Sequence, residues 1–209
     1  NDYLTLTQFP EYKKNPDFNN EDKKESFIKK NKLKFLRDYQ VKAIQAIKDK
    51  IKDGGDRFLL EMATGTGKTN TSAAIIKMFL RLYKVKRVLF LVDRLELETQ
   101  AKKEFEEVLK NDFKTVIWKE NKDDWRKAEI VISTVQSFTK NNKYKRIFQP
   151  NDFDFVISDE AHRSLGLRSR NVFEYFVGFK LGLTATPRDF LKSVDADNMS
   201  VSDPKQLER

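Results

Sequence analysis

The chain of 209 residues corresponds, at about 150 residues per domain, to one compact domain with a modest extension. Its 41 lysines and arginines against 32 aspartates and glutamates give a formal net charge of +9, which favours a polyanionic partner. With no cysteine and no apolar run longer than Val88 to Val92, the sequence excludes disulfide frameworks, thiolate metal sites, cysteine nucleophiles and a membrane partner, and we expect a cytoplasmic protein.

The first segment, residues 1–34, is rich in charged and amide side chains and shows no helical or strand periodicity. We predict a linker or docking arm here. From Leu36 onward apolar residues recur at helical spacing, and Gly54-Gly55 indicates where this helix ends. The predicted main domain covers residues 35–190, and the polar residues 191–209 form a tail that leads to a second lobe missing from the chain.

Beyond Gly55, short apolar runs alternate with amphipathic stretches, which is typical of repeated βα units around a parallel sheet. The candidate strands are 57–61, 87–92, 113–118, 129–133, 153–158 and 179–183. The candidate helices are 68–82, 95–110, 134–140 and 169–177. This order predicts an α/β fold with one parallel sheet flanked by helices on both faces.

A glycine-rich stretch, MATGTGKT, lies directly between the predicted strand 57–61 and the predicted helix 68–82. Its small residues can turn consecutive backbone N–H groups toward phosphate oxygens at the positive end of the helix. These residues are Thr64, Gly65, Thr66 and Gly67. Lys68 adds a cation for the phosphates and Thr69 a hydroxyl for magnesium, although Met62 stands where the strict motif has glycine. The stretch predicts an ATP and Mg²⁺ site, the alternative being a simple connecting turn.

Two adjacent acids, Asp159 and Glu160, follow the predicted strand 153–158. In a parallel sheet the carboxyl ends of the strands form the edge at which ligands bind. ATP hydrolysis requires one carboxylate that holds hydrated magnesium and another that orients and deprotonates the attacking water. We assign the metal role to Asp159 and the base role to Glu160. Alone, the pair would indicate a solvated turn; together with Lys68 it predicts a nucleotide site.

At this point six ordered elements resemble the first motor domain of superfamily 2 helicases and translocases. They are LRDYQ, MATGTGKT, FLVDR, IVISTVQSF, DEAH and LGLTATP, between residues 36 and 187. The resemblance implies a P-loop, RecA-like single lobe. The sequences LVDRLELETQA, SDEAHRS and PRDFLK look most like those of the restriction subunit of type I restriction-modification enzymes. That likeness implies double-stranded DNA and the modification (methyltransferase) and specificity subunits as partners.

The resemblance also implies roles for single residues. Gln40 would read the adenine edge, with which an amide can pair; the alternative is a polar residue on an amphipathic helix. Contact with the nucleic-acid backbone is implied for Asp93, Arg94, Thr134, Gln136 and Ser137. The alternative for these is ordinary loop chemistry, because Ser and Thr also favour helix N-caps.

Coupling of the nucleotide state to the grip on nucleic acid is implied for Thr184, Ala185, Thr186 and Pro187. His162 would hydrogen-bond this segment as a coupler; the alternative is a histidine packed beneath the sheet edge. Four cations close together form a candidate DNA patch, for which a solvated lysine-rich loop is the competing interpretation. They are Lys140, Lys143, Lys145 and Arg146.

The leading interpretation is the ATP-binding first motor lobe of a DNA translocase in a type I site-specific deoxyribonuclease. Such motors hydrolyse ATP between two lobes, the second supplying an arginine. We therefore expect this chain alone to bind nucleotide weakly and to hydrolyse it slowly or not at all, although it carries Lys68 and Glu160 as catalytic residues. The alternatives are a lobe of a superfamily 2 repair helicase and a nucleotide-binding regulatory module without motor activity. A nuclease centre is expected before residue 1.

Overall fold

A computed structural model of the chain describes residues 5–6, 11–63, 65–120, 122, 124–159 and 167–185. The strands are β1 (Thr5–Leu6), β2 (Lys34–Phe35), β3 (Arg57–Glu61), β4 (Val88–Val92), β5 (Thr115–Ile117), β6 (Ile130–Thr134), β7 (Phe155–Ser158) and β8 (Phe179–Thr184). The helices are α1 (Pro16–Asn19), α2 (Glu21–Lys30), α3 (Asp38–Lys52), α4 (Lys68–Leu82), α5 (Leu95–Leu109), α6 (Val135–Thr139), α7 (Lys143–Ile147) and α8 (Leu167–Tyr175). Short 3₁₀ turns cover Tyr12–Lys14, Trp118–Glu120, Trp125–Lys127 and Lys140–Asn142.

The central feature is a sheet of six parallel strands in the order β3-β8-β7-β4-β6-β5. Each of its strands overlaps a predicted strand, and α4 has the predicted bounds. Because every strand runs the same way, all carboxyl ends meet at one edge of the sheet. The strand order could not be derived from the alternation of strands and helices along the chain.

Side chains of β4 show how both faces of the sheet are covered. Val88, Phe90 and Val92 belong to a buried cluster with residues of α3, α4 and α5. Leu89 and Leu91 belong to a second cluster with residues of α6, α7 and α8. Successive side chains of a strand point to opposite faces, so a strand buried on both sides reads as a continuous apolar run. The predicted α/β architecture with helices on both faces is confirmed.

The segment before the sheet differs from the sequence expectation. Within residues 1–34 the structure has the helix α2, where no helical periodicity was found. Tyr12, Phe27 and Leu33 form a small buried cluster of their own, and Leu6 is buried in the main core. The apolar residues are spread over several short elements, so no single element shows a period. The function as a linker or docking arm stays a prediction.

The edge strand β3 is joined to α8 by a bidentate ion pair between Arg57 and Glu174, with both oxygens 2.6 Å from guanidinium nitrogens. The hydrogen bond from Arg57 lowers the pKa of Glu174. Nearby, Lys180 is buried and donates its ammonium to the carbonyls of Phe176 (2.5 Å) and Gly178 (3.1 Å). Burial lowers the pKa of Lys180, because a charged group loses solvation there. These contacts connect the amino ends of β3 and β8 to α8 and to the turn that follows it.

Candidate nucleotide site and nucleic-acid edge

Three predicted motifs meet at the carboxyl edge of β3, β8 and β7. The glycine-rich stretch 62–69, called the phosphate loop below, follows β3. Thr184 ends β8, and Asp159 follows β7. The N–H of Met62, at the start of the loop, donates to the carbonyl of Thr184 at 2.9 Å. Neighbouring strands lie about 4.8 Å apart, so one strand separates the loop from Asp159, a span of about 10 Å between strand axes. The structure therefore brings the loop, Thr184 and Asp159 to one edge.

Two glycines of the phosphate loop occupy the left-handed region, Gly65 with φ 78° and Gly67 with φ 85°. Gly67 is also the N-cap of α4, and a Cβ added there would lie 2.7 Å from Nε2 of Gln40. A Cβ at Gly65 would meet no described atom within 4 Å. Gly65 is required by its dihedral angle alone, whereas Gly67 is required by its dihedral angle and by the close approach of Gln40.

Residues at the start of α3 hold the carbonyl groups of the phosphate loop. The carbonyl of Thr66 accepts hydrogen bonds from Oη of Tyr39 (2.5 Å) and Nε2 of Gln40 (3.3 Å), and the carbonyl of Gly67 accepts from the same Nε2 (3.2 Å). In a trans peptide the C=O and the following N–H point in opposite directions. The N–H groups of Gly67 and Lys68 therefore point away from α3, as a phosphate cradle at a helix N-terminus requires.

The residues present fit a nucleotide with magnesium. Lys68 and Thr69 begin α4, and Asp159 is half-buried on the same sheet edge. Among the residues that the structure describes, no three His, Cys, Asp or Glu side chains form a group that could hold a metal by itself. Magnesium bound with ATP takes most of its oxygen ligands from phosphates and water, and one or two protein oxygens complete the set. Thr69 and Asp159 are the candidates for those ligands.

Gln40 has a position that the sequence analysis did not foresee. Its side chain is 3% exposed, its Oε1 accepts from the N–H of Arg37 at 2.9 Å, and its Nε2 donates to the loop. Both ends of the amide are thus used within the chain. The contact with Arg37 is half of a capping box, for which a glutamine three residues after the N-cap is the sequence signal. The reading of adenine by Gln40 stays a prediction.

The elements predicted to contact nucleic acid lie side by side at the ends of β4 and β6, where Val92 pairs in register with Thr134. Asp93 is half-buried and Arg94 exposed. Thr134 is 1% exposed, and its Oγ1 accepts from the N–H of Ser137 at 3.2 Å as the N-cap of α6. Thr134 is therefore a helix N-cap, which was the predicted alternative to contact with nucleic acid. Gln136 is exposed and Ser137 is half-buried, so both reach the surface.

The four cations of the candidate DNA patch differ in their surroundings. Lys143 is half-buried, with its ammonium 5.1 Å from the ring centroid of Trp118. The other three cations are exposed, namely Lys140, Lys145 and Arg146. A groove of about 590 Å³ beside them is lined by Gln136, Thr139, Lys140, Asn141, Asn142, Tyr144 and Asn171. The groove connects Gln136 on α6 with Lys140, the one patch cation among its lining residues.

Several predicted site residues lie outside the described residues. They are Thr64, Glu160, His162, Thr186 and Pro187. The base role of Glu160 and the coupling role of His162 therefore stay predictions. Thr184, the first residue of the coupling segment, is fully buried at the end of β8 beside the start of the phosphate loop. Ala185, which follows it, is half-buried.

Replacing Gly67 with alanine is expected to weaken ATP binding severalfold, because the new Cβ would displace the amide of Gln40 and with it the loop. Gly54 (φ 82°) is the matched control, since a Cβ there meets no described atom within 4 Å. Both substitutions should cost about 1 to 2 kcal/mol of unfolding free energy in urea, the cost of a left-handed alanine. Only Gly67→Ala should change a nucleotide titration. Equal ATP affinities of the two variants would contradict the role of the close approach.

Comparison with protein families and relatives agrees with these features. The family described as "Type III restriction enzyme, res subunit" matches residues 33–189. The endonuclease subunit of the type I restriction enzyme EcoKI from Escherichia coli (strain K12) is 34% identical over 180 residues, which cover 73% of this chain. The chain spans only 15% of the length of that relative.

Two solved structures have a similar fold. The Sulfolobus solfataricus SWI2/SNF2 ATPase core in complex with dsDNA superposes with a TM-score of 0.64 at 18% identity, over 77% of this chain and 35% of that one. A nuclease-deletion mutant of the type ISP restriction-modification enzyme LlaGI, in complex with a DNA substrate mimic, superposes with a TM-score of 0.57 at 28% identity. The superposition covers 74% of this chain and 18% of that one. The predicted RecA-like lobe of helicase motors is confirmed as the fold.

Proposed function

The chain belongs to the family of the type III restriction enzyme res subunit, and from this we propose that it is the ATP-binding first motor lobe of a DNA translocase in a type I restriction endonuclease. The observation that carries the proposal is the strand order. β3, β8 and β7 present the nucleotide elements, and β4 and β6, next to β7, present the elements assigned to nucleic acid. The nucleotide elements and the nucleic-acid elements adjoin between β7 and β4, where the N–H of Asp159 donates to the carbonyl of Leu91 at 2.9 Å.

The proposed roles follow from position and chemistry. Lys68 neutralises the β and γ phosphates, and the N–H groups of the loop bind their oxygens. Magnesium, held by Thr69 and Asp159, would neutralise charge that develops on the phosphates. Glu160 orients the attacking water and accepts its proton. Turnover requires an arginine from a second lobe, so we propose that the 209-residue chain binds ATP weakly and hydrolyses it slowly or not at all.

The partners are part of the proposal. Double-stranded DNA is supported by the net charge of +9, because cations near phosphates release condensed counterions. The complexes of the two similar structures with DNA also support it. Modification and specificity subunits are proposed as further partners from the similarity to type I restriction endonuclease subunits alone. In the parts of the chain that the structure describes, no helix is long and apolar enough to cross a membrane. The cytoplasmic location stays a prediction.

A titration with a fluorescent ATP analogue tests the nucleotide site. We expect Mg²⁺ to strengthen the binding of the analogue to the wild-type chain. In Asp159→Asn this Mg²⁺-dependent increase in affinity should be smaller by a factor of at least about ten, since the substitution removes a charged ligand of the metal. The control is Asp49→Asn, which removes the same charge from an exposed position on α3. No binding of ATP by the wild type, or equal Mg²⁺ dependence in all three proteins, would contradict the assignment. ATP binding without any DNA binding by the intact polypeptide would favour a regulatory module.

A further inference from the structure

A buried carboxylate on α5 connects the two elements assigned to nucleic acid. Glu98 is 1% exposed, and its Oε1 accepts from the N–H of Thr134 at 2.7 Å. Thr134 is the residue that caps α6, and α5 begins directly after Asp93 and Arg94. A carboxylate that accepts a backbone N–H in a buried place makes a strong, directional contact. Glu98 therefore determines where α6 begins relative to α5.

The second oxygen of Glu98 faces a lysine that reaches the surface. Oε2 is buried and has no hydrogen-bond partner among the described residues. The ammonium of Lys119 lies 3.4 Å from it, in ion-pair range but without hydrogen-bond geometry. The side chain of Lys119 is 41% exposed. A buried carboxylate with an open lone pair attracts this ammonium and restricts where it can go, while Lys119 keeps donors for a second acceptor.

The position of Lys119 places this pair on the edge assigned to nucleic acid. Lys119 follows the carboxyl end of β5, and β5 is the neighbour of β6, with Ile117 in register with Ile132. The strands β4, β6 and β5 are adjacent, so Arg94, the start of α6 and Lys119 follow three neighbouring strands at one edge. Such strands lie about 4.8 Å apart, and the phosphates of one DNA strand recur about every 3.4 Å along the helix axis, so a single phosphate backbone can reach groups on all three strands.

We propose that Lys119 is a further contact to the phosphate backbone of DNA and that Glu98 is the residue that positions both Lys119 and the start of α6. The inference rests on the proposed function, because it assumes that DNA follows the ends of β4 and β6. Among the residues that the structure describes, the ammonium of Lys119 forms its ion pair with Glu98. With DNA it lies between that carboxylate and a phosphate oxygen, and no bond is made or broken.

The test compares two lysines at opposite ends of the same strand. Lys119 follows β5, whereas Lys114 precedes it at the amino edge of the sheet, and both are exposed. Alanine at either position removes one charge. Binding of a fluorescent DNA duplex would be measured at several salt concentrations, on this chain and on any longer polypeptide that contains it. Lys119→Ala should reduce the slope of log K against log salt by about 0.9 and weaken binding about eightfold at 0.1 M salt; Lys114→Ala should leave the slope unchanged.

Variants of Glu98 test the positioning role. Glu98→Gln keeps an acceptor for the N–H of Thr134, whereas Glu98→Ala leaves that buried donor unpaired. We expect Glu98→Ala to weaken DNA binding at least as much as Lys119→Ala, because it removes both contacts. Glu98→Gln should recover the part of the affinity that depends on the start of α6 but not the part that depends on Lys119, and neither variant should change ATP affinity. If Glu98→Ala does not fold, the comparison of Lys119 with Lys114 and the result for Glu98→Gln still decide the matter.

The possible outcomes separate this inference from the proposed function. Equal salt slopes for the wild type and Lys119→Ala, or equal losses for Lys119→Ala and Lys114→Ala, would overturn the assignment of Lys119 while wild-type DNA binding still supports a translocase lobe. Unchanged DNA affinity in Glu98→Ala would overturn the positioning role. Failure of the wild type to bind duplex DNA would overturn the inference together with the DNA part of the proposed function, and the ATP titration would report separately on the nucleotide site.

Discussion

Replacing Lys68 with alanine is expected to weaken ATP binding about 10- to 100-fold. The reason is the loss of a charge-assisted hydrogen bond to phosphate, worth roughly 1.5 to 3 kcal/mol. Lys68 begins α4, directly after the loop whose N–H groups are turned away from α3. In a polypeptide that also carries the second lobe, turnover should fall by a further ~100-fold or more, because charge on the phosphates grows in the transition state. Isothermal titration and phosphate-release assays measure the two effects.

Lys42→Ala is the matched control for this experiment. Lys42 lies on α3 and is exposed, so its replacement removes the same charge from a side chain outside the phosphate loop. We expect its ATP affinity and turnover to equal those of the wild type. Lys68→Ala with wild-type affinity would show that the phosphates bind elsewhere, and the assignment of the loop as the ATP site would fail.

The second large effect concerns stability. Phe79 on α4 is fully buried, stacked on Phe155 of β7 at 4.0 Å between ring centroids and edge-on to Phe179 of β8 at 5.0 Å. Phe79→Ala is expected to lower the free energy of unfolding by about 3 to 5 kcal/mol, from lost transfer energy and the cavity left behind. The free energy of unfolding of a whole domain is only about 5 to 15 kcal/mol, so the variant should unfold at a much lower urea concentration.

A residue on the same helix provides the comparison for Phe79. Leu82 is also on α4 but is 54% exposed, so Leu82→Ala should change the free energy of unfolding by less than about 0.5 kcal/mol. Urea denaturation followed by tryptophan fluorescence measures both variants, since Trp118 and Trp125 are buried in the other face of the sheet. Similar losses for the two variants would show that packing of α4 on β7 and β8 is not what stabilises the domain.

The Phe79 cluster also connects stability to the nucleotide site. α4 carries Lys68 and Thr69 at its first turn and Phe79 in its fourth, and the ring packs on Phe155 and Phe179, the first residues of β7 and β8, whose other ends carry Asp159 and Thr184. The helix that presents the cation is therefore held against the two strands that follow the phosphate loop in the sheet. Loss of ring packing should reduce ATP affinity as well as stability, because the site is built on these elements.

Much of the geometry of the candidate nucleotide site could be predicted because its signals are local. A glycine loop between an apolar strand and a helix, and an acid directly after another apolar strand, are short patterns with a physical cause in phosphate binding. The predicted helix 68–82 has the bounds of α4, and the predicted strand 57–61 has those of β3. A parallel sheet, in turn, brings all carboxyl ends to one edge, whatever the order of its strands.

The sequence by itself thus determined the family, the alternation of strands and helices, and which segments end at the ligand-binding edge. Only the tertiary structure decided which strands are neighbours, that Gln40 braces the phosphate loop, that Thr134 is a buried cap and that Glu98 reaches it from another helix. The physical reason is range. Periodicity, turns and phosphate loops depend on residues that are neighbours along the chain. A buried amide or carboxylate meets its hydrogen-bond partner only when distant segments pack together, because the burial removes water as a partner.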